Sequence, residues 1–196
     1  MDYLESILLG IVQGLTEFLP ISSSGHLEIS KVILGNNLSN KESLLFTIVL
    51  HSATAFSTIF YFKKDLLDIF SGLLNKNYNT SHHFSVLIII SMIPAVLVGL
   101  IFEDKINSLF DGNLILVGCM LYITAILLFT SDFLKLKKKE INFKNSFLIG
   151  LVQAIAILPG ISRSGATIAS AVIMGIDREK AARFSFIMVI PVILGS

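Results

Sequence analysis

Two stretches of this chain, 140 residues apart, hold the side chains that could do chemistry. The first contains Gln13, Glu17 and the run PISSSGH at residues 20–26. Ser23 could be a nucleophile if a base lay within reach, and either His26 or Glu17 could accept its proton. In the competing mechanism a metal-bound water attacks, and Ser23 only orients a phosphate. This stretch predicts the attacking half of a catalytic site and leaves the attacking group open.

The same stretch could hold a divalent metal ion. Gln13 and Glu17 are four residues apart, so they share one face of a helix. An amide oxygen and a carboxylate are hard ligands that suit Mg²⁺ or Ca²⁺. Gln13 could alternatively serve only helix packing, because its counterpart Gln153 has no acidic partner and residue 157 is isoleucine.

The second stretch, PGISRSGAT at residues 159–167, is suited to bind an anion. Arg163 carries a planar fork of donors that matches phosphate oxygens. New helices are expected to start near Gly25 and Gly165, which would point two positive dipole ends at the same place. Serines beside a helix start can also be simple N-caps, and this alternative stays open. The candidate substrate-binding residues are Ser22, Ser162, Arg163 and Thr167.

The composition places these residues in a membrane protein. Of the 196 residues, 54% are hydrophobic and only 15% are charged, with a mean hydropathy of +0.80. A net charge of +1 provides no field to attract nucleic acid. The single cysteine, Cys119, excludes an internal disulfide and is expected to be buried. Acidic residues near the N-terminus indicate that no removable targeting segment is present.

The apolar segments predict an all-α, polytopic membrane fold. Four unbroken segments predict spans at 44–62, 84–102, 114–130 and 180–196, and an amphipathic surface helix is predicted at 65–74. Two further segments, 4–35 and 146–175, break at a proline and a Ser/Gly cluster and then resume. That pattern predicts re-entrant helix pairs, whose irregular backbone must be buried in protein or line a cavity.

The two broken segments are copies of each other. At an offset of 140 residues, LGIVQGLTEFLPISSSG (9–25) aligns with IGLVQAIAILPGISRSG (149–165) without a gap, and seven of the 17 positions are identical. Three predicted spans separate the copies, and an odd number inverts the second copy. The sequence therefore predicts one domain with an inverted-topology repeat whose re-entrant pairs meet near the midplane.

In this interpretation the first copy covers 1–140 and the second covers 141–196. The same offset would extend the second copy to about residue 270, so the second copy is expected to be incomplete here.

Two charged residues of the repeat, Glu17 and Arg163, are expected inside the bilayer. Each would cost roughly 2.5–3.5 kcal/mol there. Mutual pairing, a metal ion or an anionic ligand would offset that cost. A purely structural ion pair between the copies is the alternative to a functional site.

The basic residues predict the orientation. If both broken segments are re-entrant, 11 of the 15 Lys and Arg residues lie on the side of 63–83, 131–145 and 176–183, and 3 lie on the other side. The positive-inside rule places the richer side in the cytoplasm. The opening of the first re-entrant pair would then face outward.

These motifs resemble those of a known family. QGLTEFLPISSSGH at 13–26 resembles the (E/Q)xxxE motif and the SS(S/T)GH loop of bacterial undecaprenyl-diphosphate phosphatases of the bacitracin-resistance type. PGISRSGAT at 159–167 resembles that family's PGxSRSxxT motif, and the similarity covers the whole chain. Typical members continue beyond its last residue.

The resemblance implies a role for each residue. It implies that Glu17 serves catalysis and, with Gln13, the divalent cation. It implies that Ser23 is the nucleophile and His26 its partner in proton transfer. The implied diphosphate-binding residues are Ser162, Arg163 and Thr167. Glutamine at position 13 leaves the metal one carboxylate fewer, which puts a two-carboxylate site in doubt.

The resemblance also implies the activity and its setting. The expected enzyme removes the terminal phosphate of a C55 polyprenyl diphosphate, which recycles the lipid carrier for peptidoglycan synthesis and confers bacitracin resistance. The site would open outward from the bacterial inner membrane, and a homodimer is one expected assembly. The alternative function is an inverted-repeat transporter or lipid flippase for an anionic substrate. Transport needs an arginine and helix ends but no nucleophile beside a base.

Overall fold

The protein is seen in a computed structural model that describes residues 3–35, 40–109, 113–133 and 139–194. All regular elements of these ranges are helices, which confirms the predicted all-α class. The first five are α1 (Tyr3–Phe18), α2 (Ser23–Ile33), α3 (Asn40–Tyr61), α4 (Lys63–Leu73) and α5 (Thr80–Ile101). The others are α6 (Glu103–Ser108), α7 (Leu114–Asp132), α8 (Phe143–Ile155), α9 (Arg163–Ile173) and α10 (Arg178–Leu194).

The predicted spans coincide with the longest helices. By length and composition, α5 and α7 can each cross a membrane. The apolar part of α3 qualifies only together with α4, to which it is bent by 73°. Helix α10 has 17 residues in the described part of the chain, so its span stays a prediction. The chain is therefore a polytopic membrane protein.

Helix α4 is the amphipathic helix predicted at 65–74. It follows α3 after Phe62, and its Leu67 and Phe70 side chains are exposed. The Lys63 ammonium lies 4.5 Å from the centre of the Phe60 ring. Apolar side chains beside lysines are typical of a helix at a membrane surface.

Both predicted breaks are present. Helix α1 ends at Phe18 and α2 begins at Ser23, and in the second copy α8 ends at Ile155 and α9 begins at Arg163. The longer gap in the second copy contains Gly160 in a left-handed conformation, with φ of 97°. Each copy therefore contributes two short helices joined at a turn.

Helix α8 is held against α5 by small and polar side chains. The Ser146 hydroxyl donates to the carbonyl of Leu87, and a Cβ on Gly150 would collide with the carbonyl of Ser91. Such residues let two helix backbones approach closely inside a membrane. A buried core of Ile149, Val172, Phe184 and Met188 continues this contact to α9 and α10.

The two breaks touch each other reciprocally. A Cβ on Gly25 would lie 3.1 Å from Cα of Gly160, and a Cβ on Gly165 would lie 2.7 Å from the carbonyl oxygen of Pro20. Positions 20 and 25 correspond to 160 and 165 at the 140-residue offset. Position 25 contacts position 160, and position 165 contacts position 20. Two copies related by a two-fold axis make such reciprocal contacts. The structure thus supports the repeat inferred from the sequence.

The prediction that Cys119 is buried is wrong. Its side chain is exposed on α7, beside the exposed Ile115, Tyr122 and Ile126. A membrane helix can be apolar on its outer face as well as its inner face, so an apolar run does not imply burial within the protein.

Candidate active site

The site is organised around the carboxylate of Glu17 at the end of α1. Its Oε1 accepts a hydrogen bond from Nη2 of Arg163 at 2.8 Å. Its Oε2 accepts from Oγ of Ser23 at 2.5 Å and from Nε2 of Gln13 at 3.0 Å. Glu17 is mostly buried, with a side chain 12% exposed. Three donors therefore converge on one carboxylate inside the protein.

Ser23 is placed by the start of α2. It is the first residue of that helix, and Ser22 caps the helix by accepting a hydrogen bond from the N–H of Gly25 at 3.3 Å. The Ser23 hydroxyl donates to Glu17 across the break. A hydroxyl held by a buried carboxylate is the arrangement of a nucleophile with its base.

The backbone at Ser22 is unusual in the first copy alone. Ser22 has φ of 73° and ψ of 93°, whereas its counterpart Ser162 has φ of −70° and ψ of 114°. A non-glycine residue in such a conformation costs about 1–3 kcal/mol and is typical of functional sites. The strain lies immediately before the candidate nucleophile.

His26 is not bonded to Ser23. Its Nδ1 lies 2.7 Å from the carbonyl oxygen of Ser22. Because a carbonyl only accepts, Nδ1 carries the proton and Nε2 is the acceptor in the neutral ring. The predicted proton-transfer role of His26 would therefore have to use Nε2.

Arg163 joins the second copy to the first. It is the first residue of α9, and Ser162 caps that helix by accepting from the N–H of Gly165 at 3.0 Å. The turn before it is anchored to α7, because the N–H of Ser162 donates to Oγ1 of Thr124 at 3.0 Å. The guanidinium thus reaches Glu17 from a fixed backbone.

Thr167 lies away from the carboxylate. Its hydroxyl is 2.7 Å from that of Ser185 on α10, and it also donates to the carbonyl of Arg163 at 2.8 Å. The side chain is buried, so Thr167 would reach a ligand only through Ser185.

His51 is a further member of the site and is not among the candidate residues named from the sequence. Its Nδ1 lies 3.8 Å from Oε2 of Glu17, in the middle of α3. A histidine inside a span that otherwise lacks charge was the signal available in the sequence. The site therefore draws on α1, α2, α3 and α9.

The structure allows a test of the predicted cation site. Among the described residues, no three His, Cys, Asp or Glu side chains converge to form a metal cluster. However, Oε1 of Gln13 is buried and has no hydrogen-bond partner within the described part. Mg²⁺ is commonly held by one or two protein oxygens together with substrate phosphates. Gln13 and Glu17 supply the donor types of that set, but Gln13 turns Nε2 rather than Oε1 toward Glu17, so its amide would have to turn over before both oxygens could face one ion.

A pocket opens beside the Glu17–Arg163 pair toward α3 and α10. It is lined by hydroxyl groups and apolar side chains as well as by the ion pair. Its lining residues are Glu17, Phe18, Thr54, Thr58, Arg163, Ser164, Ser185, Phe186, Val189 and Ile193. A ligand with a polar head group and an apolar tail would match this mixture of polar and apolar side chains.

Comparisons with known proteins agree with the motifs. The profile of the family described as bacitracin resistance protein BacA matches residues 6–196. A protein of Christiangramia forsetii named undecaprenyl-diphosphatase is 58% identical over all of this chain and 74% of its own length. Proteins of the same name from Bacteroides fragilis and Methanococcus vannielii are 48% and 41% identical, over 100% and 98% of this chain and 73% and 76% of theirs.

Proposed function

The chain belongs to the family of the bacitracin resistance protein BacA, and from this premise we propose that it is an undecaprenyl-diphosphatase. Its substrate is a polyprenyl diphosphate within the membrane, and its reaction releases the terminal phosphate. Loss of that phosphate returns the lipid carrier to peptidoglycan synthesis, which accounts for bacitracin resistance.

The observation that carries this function is the contact between Ser23 and Glu17. A transporter needs charge and helix ends to bind an anion, but it has no use for a hydroxyl donating to a buried carboxylate at 2.5 Å. Arg163 on the same carboxylate places a phosphate-binding cation beside the nucleophile. The arrangement supports hydrolysis over transport.

In the mechanism that we propose, Oγ of Ser23 attacks the terminal phosphorus. Its proton passes to Oε2 of Glu17, the Oγ–P bond forms, and the bond from phosphorus to the bridging oxygen breaks. The polyprenyl monophosphate leaves with the electron pair of that bond. Arg163 exchanges its contact with Glu17 for the phosphate oxygens as negative charge develops on them.

The second half of the reaction restores the serine. Water attacks the phosphorus of the phosphoserine and gives one proton to a base, the Oγ–P bond breaks, and Glu17 returns its proton to Oγ of Ser23 as inorganic phosphate leaves. Nε2 of His26 is the acceptor left on that ring, so we assign His26 to this proton. The N-termini of α2 and α9 both lie at the junction and stabilise the phosphate charge.

A divalent cation, Mg²⁺ or Ca²⁺, is part of the proposal. Gln13 and Glu17 would hold it, and it would neutralise the diphosphate oxygens when bound. Oε1 of Gln13 is free to turn toward such an ion, as it has no hydrogen-bond partner in the described part, a property that the amide of Gln153 shares. Ser22 and Ser162 would donate to the substrate phosphate while their oxygens cap the helices. Thr167 would support the phosphate site through Ser185.

We further propose that the protein lies in the bacterial inner membrane with its site open to the outside. The basic residues support this orientation, since 11 of 15 are predicted to lie on the opposite side. A homodimer stays a prediction for crosslinking in detergent.

Phosphate release from purified protein tests the function. The wild-type chain should release inorganic phosphate from undecaprenyl diphosphate in detergent, and EDTA should stop the release. Transport without hydrolysis would appear as movement of labelled lipid across a vesicle with no free phosphate, and that result would overturn the proposal.

A further inference from the structure

A second charged pair lies on α2, the helix that begins with Ser23. Nζ of Lys31 donates to Oε1 of Glu28 at 2.9 Å, and the two side chains are only 12% and 11% exposed. A charge inside a membrane protein is costly unless it is paired or used. Because a lysine ammonium has three donors, the contact with Glu28 leaves others for a second partner.

Lys31 also connects α2 to α3. Its Nζ donates to Oγ1 of Thr47 at 3.3 Å. Thr47 and His51 are four residues apart, so they share one face of α3. Nδ1 of His51 lies 3.8 Å from Oε2 of Glu17, the oxygen that accepts from Ser23. These contacts form a closed ring that returns along α2 to its first residue.

The ring attaches α2 at both of its ends. Ser23 is the first residue of the helix and Lys31 lies in its last turn. Eight residues of helix separate these two points by about 12 Å. Apart from Lys31, α2 packs mainly on α1 and α7. The contact with α3 is thus a separate constraint on the tilt of α2, on the side where His51 lies.

We propose that Lys31 is a positioning residue that holds α2 against α3, with Ser23 and His51 at the same carboxylate. The inference rests on the proposed function, because it concerns the geometry of the attack by Ser23. Glu28 balances the charge of Lys31 inside the protein. Displacement of a reacting group by about 1 Å can cost ~10²-fold in rate, even when the changed residue is far from the chemistry. Loss of the Lys31 contact therefore lowers kcat more than it weakens substrate binding.

The experiment measures kcat and KM for undecaprenyl diphosphate in Thr47→Val, which removes the acceptor on α3 and keeps the Glu28–Lys31 pair. We expect kcat to fall about threefold to tenfold, while KM changes less than about twofold. Lys31→Met combined with Glu28→Gln removes both charges without leaving one unpaired, and its kcat should fall about tenfold. Lys31→Arg keeps a donor for Thr47, so it should retain most of the wild-type kcat.

Thr130→Val is the matched control, since the Thr130 hydroxyl on α7 donates to the carbonyl of Leu127 in its own helix. Its kcat should equal that of the wild type. A wild-type kcat in both Thr47→Val and the uncharged double variant, even with a lowered melting temperature, would overturn the inference and leave the proposed function intact. A wild-type protein that releases no phosphate from undecaprenyl diphosphate would overturn both.

Discussion

At the scale of single residues, the site depends on how Glu17 shares its two oxygens. One oxygen faces the cation Arg163, and the other faces the hydroxyl of Ser23. The division lets one carboxylate hold the phosphate-binding arginine and serve as a base. The following three predictions separate these roles.

Ser23→Ala should reduce turnover by at least ~10³-fold while binding of the lipid diphosphate changes little, because the variant loses the attacking atom and keeps Arg163. Rapid acid quenching of the wild type should also trap a phosphoserine. The control is Ser24→Ala, because the Ser24 hydroxyl lies 3.3 Å from that of Ser22 and is not among the described donors to Glu17. A Ser23→Ala variant with a tenth of wild-type turnover would instead identify water as the nucleophile.

Glu17→Gln should abolish turnover and lower the melting temperature in detergent. It leaves the buried Arg163 charge without its partner, which typically costs about 3–5 kcal/mol. Adding Arg163→Met should restore the melting temperature, because the unpaired charge is gone. Turnover should stay abolished, because the double variant lacks both the carboxylate base and the arginine that binds the phosphate. Phosphate release at the wild-type rate by the double variant would remove both residues from the mechanism.

His51→Leu should reduce kcat by about 10–100-fold, the usual effect of losing a group that orients a catalytic ligand. His51→Asn should recover much of it, because the asparagine amide nitrogen can occupy the position of Nδ1 near Glu17. Equal losses of kcat in both variants would contradict a role for Nδ1 alone and would indicate that the shape of the imidazole ring is needed.

At the scale of elements, two short helix pairs replace two continuous spans. Each pair stops at a turn, starts a new helix, and presents its first residue, Ser23 or Arg163, to the same carboxylate. The turns can lie inside a membrane protein because backbone N–H groups at the turns and helix starts donate to the side-chain oxygens of Ser22, Ser162 and Thr124. The catalytic geometry is therefore set by the contact between the two turns.

Gly165→Ala should disturb that contact, because the new Cβ would lie 2.7 Å from the carbonyl oxygen of Pro20. We expect a lower melting temperature in detergent and a lower kcat. Gly14→Ala is the matched control in α1, where a Cβ meets no described atom within 4 Å. The control should be neutral or stabilising by up to about 1 kcal/mol, since alanine favours a helix. Wild-type stability and rate in Gly165→Ala would show that the turns can separate freely.

At the scale of the whole molecule, three long helices, α3, α5 and α7, lie between the broken pairs. They provide the odd number of crossings that would invert the second copy. The reciprocal contact between positions 20 and 165 and between positions 25 and 160 agrees with this arrangement. The side predicted to carry most of the Lys and Arg residues should then face the cytoplasm.

Cysteine labelling of whole cells tests the orientation in a Cys119→Ser background. A cysteine at Ser108, after α5, should react with an impermeant reagent, and one at Asn77, before α5, should be protected. The same orientation predicts that Ser39 is external and Lys138 cytoplasmic, and both positions lie outside the described residues. The reverse labelling pattern would turn the site toward the cytoplasm.

The sequence alone determined the helices, the two breaks, the repeat and the residue types of the site. Hydropathy over about 20 residues and the preference of Pro, Gly and Ser for turns are local properties, so they can be read without a fold. The offset of 140 residues also pairs Ser23 with Arg163.

Only the tertiary structure decided which atoms meet. It joined Ser23 to Glu17 rather than to His26, brought His51 to the same carboxylate, and turned Thr167 toward Ser185. Each of these contacts depends on the rotation of one helix against another. Such a rotation moves a side chain by a few ångströms, which decides whether a hydrogen bond forms. The spacing of residues along the chain does not specify how helices that are distant in sequence are rotated against each other.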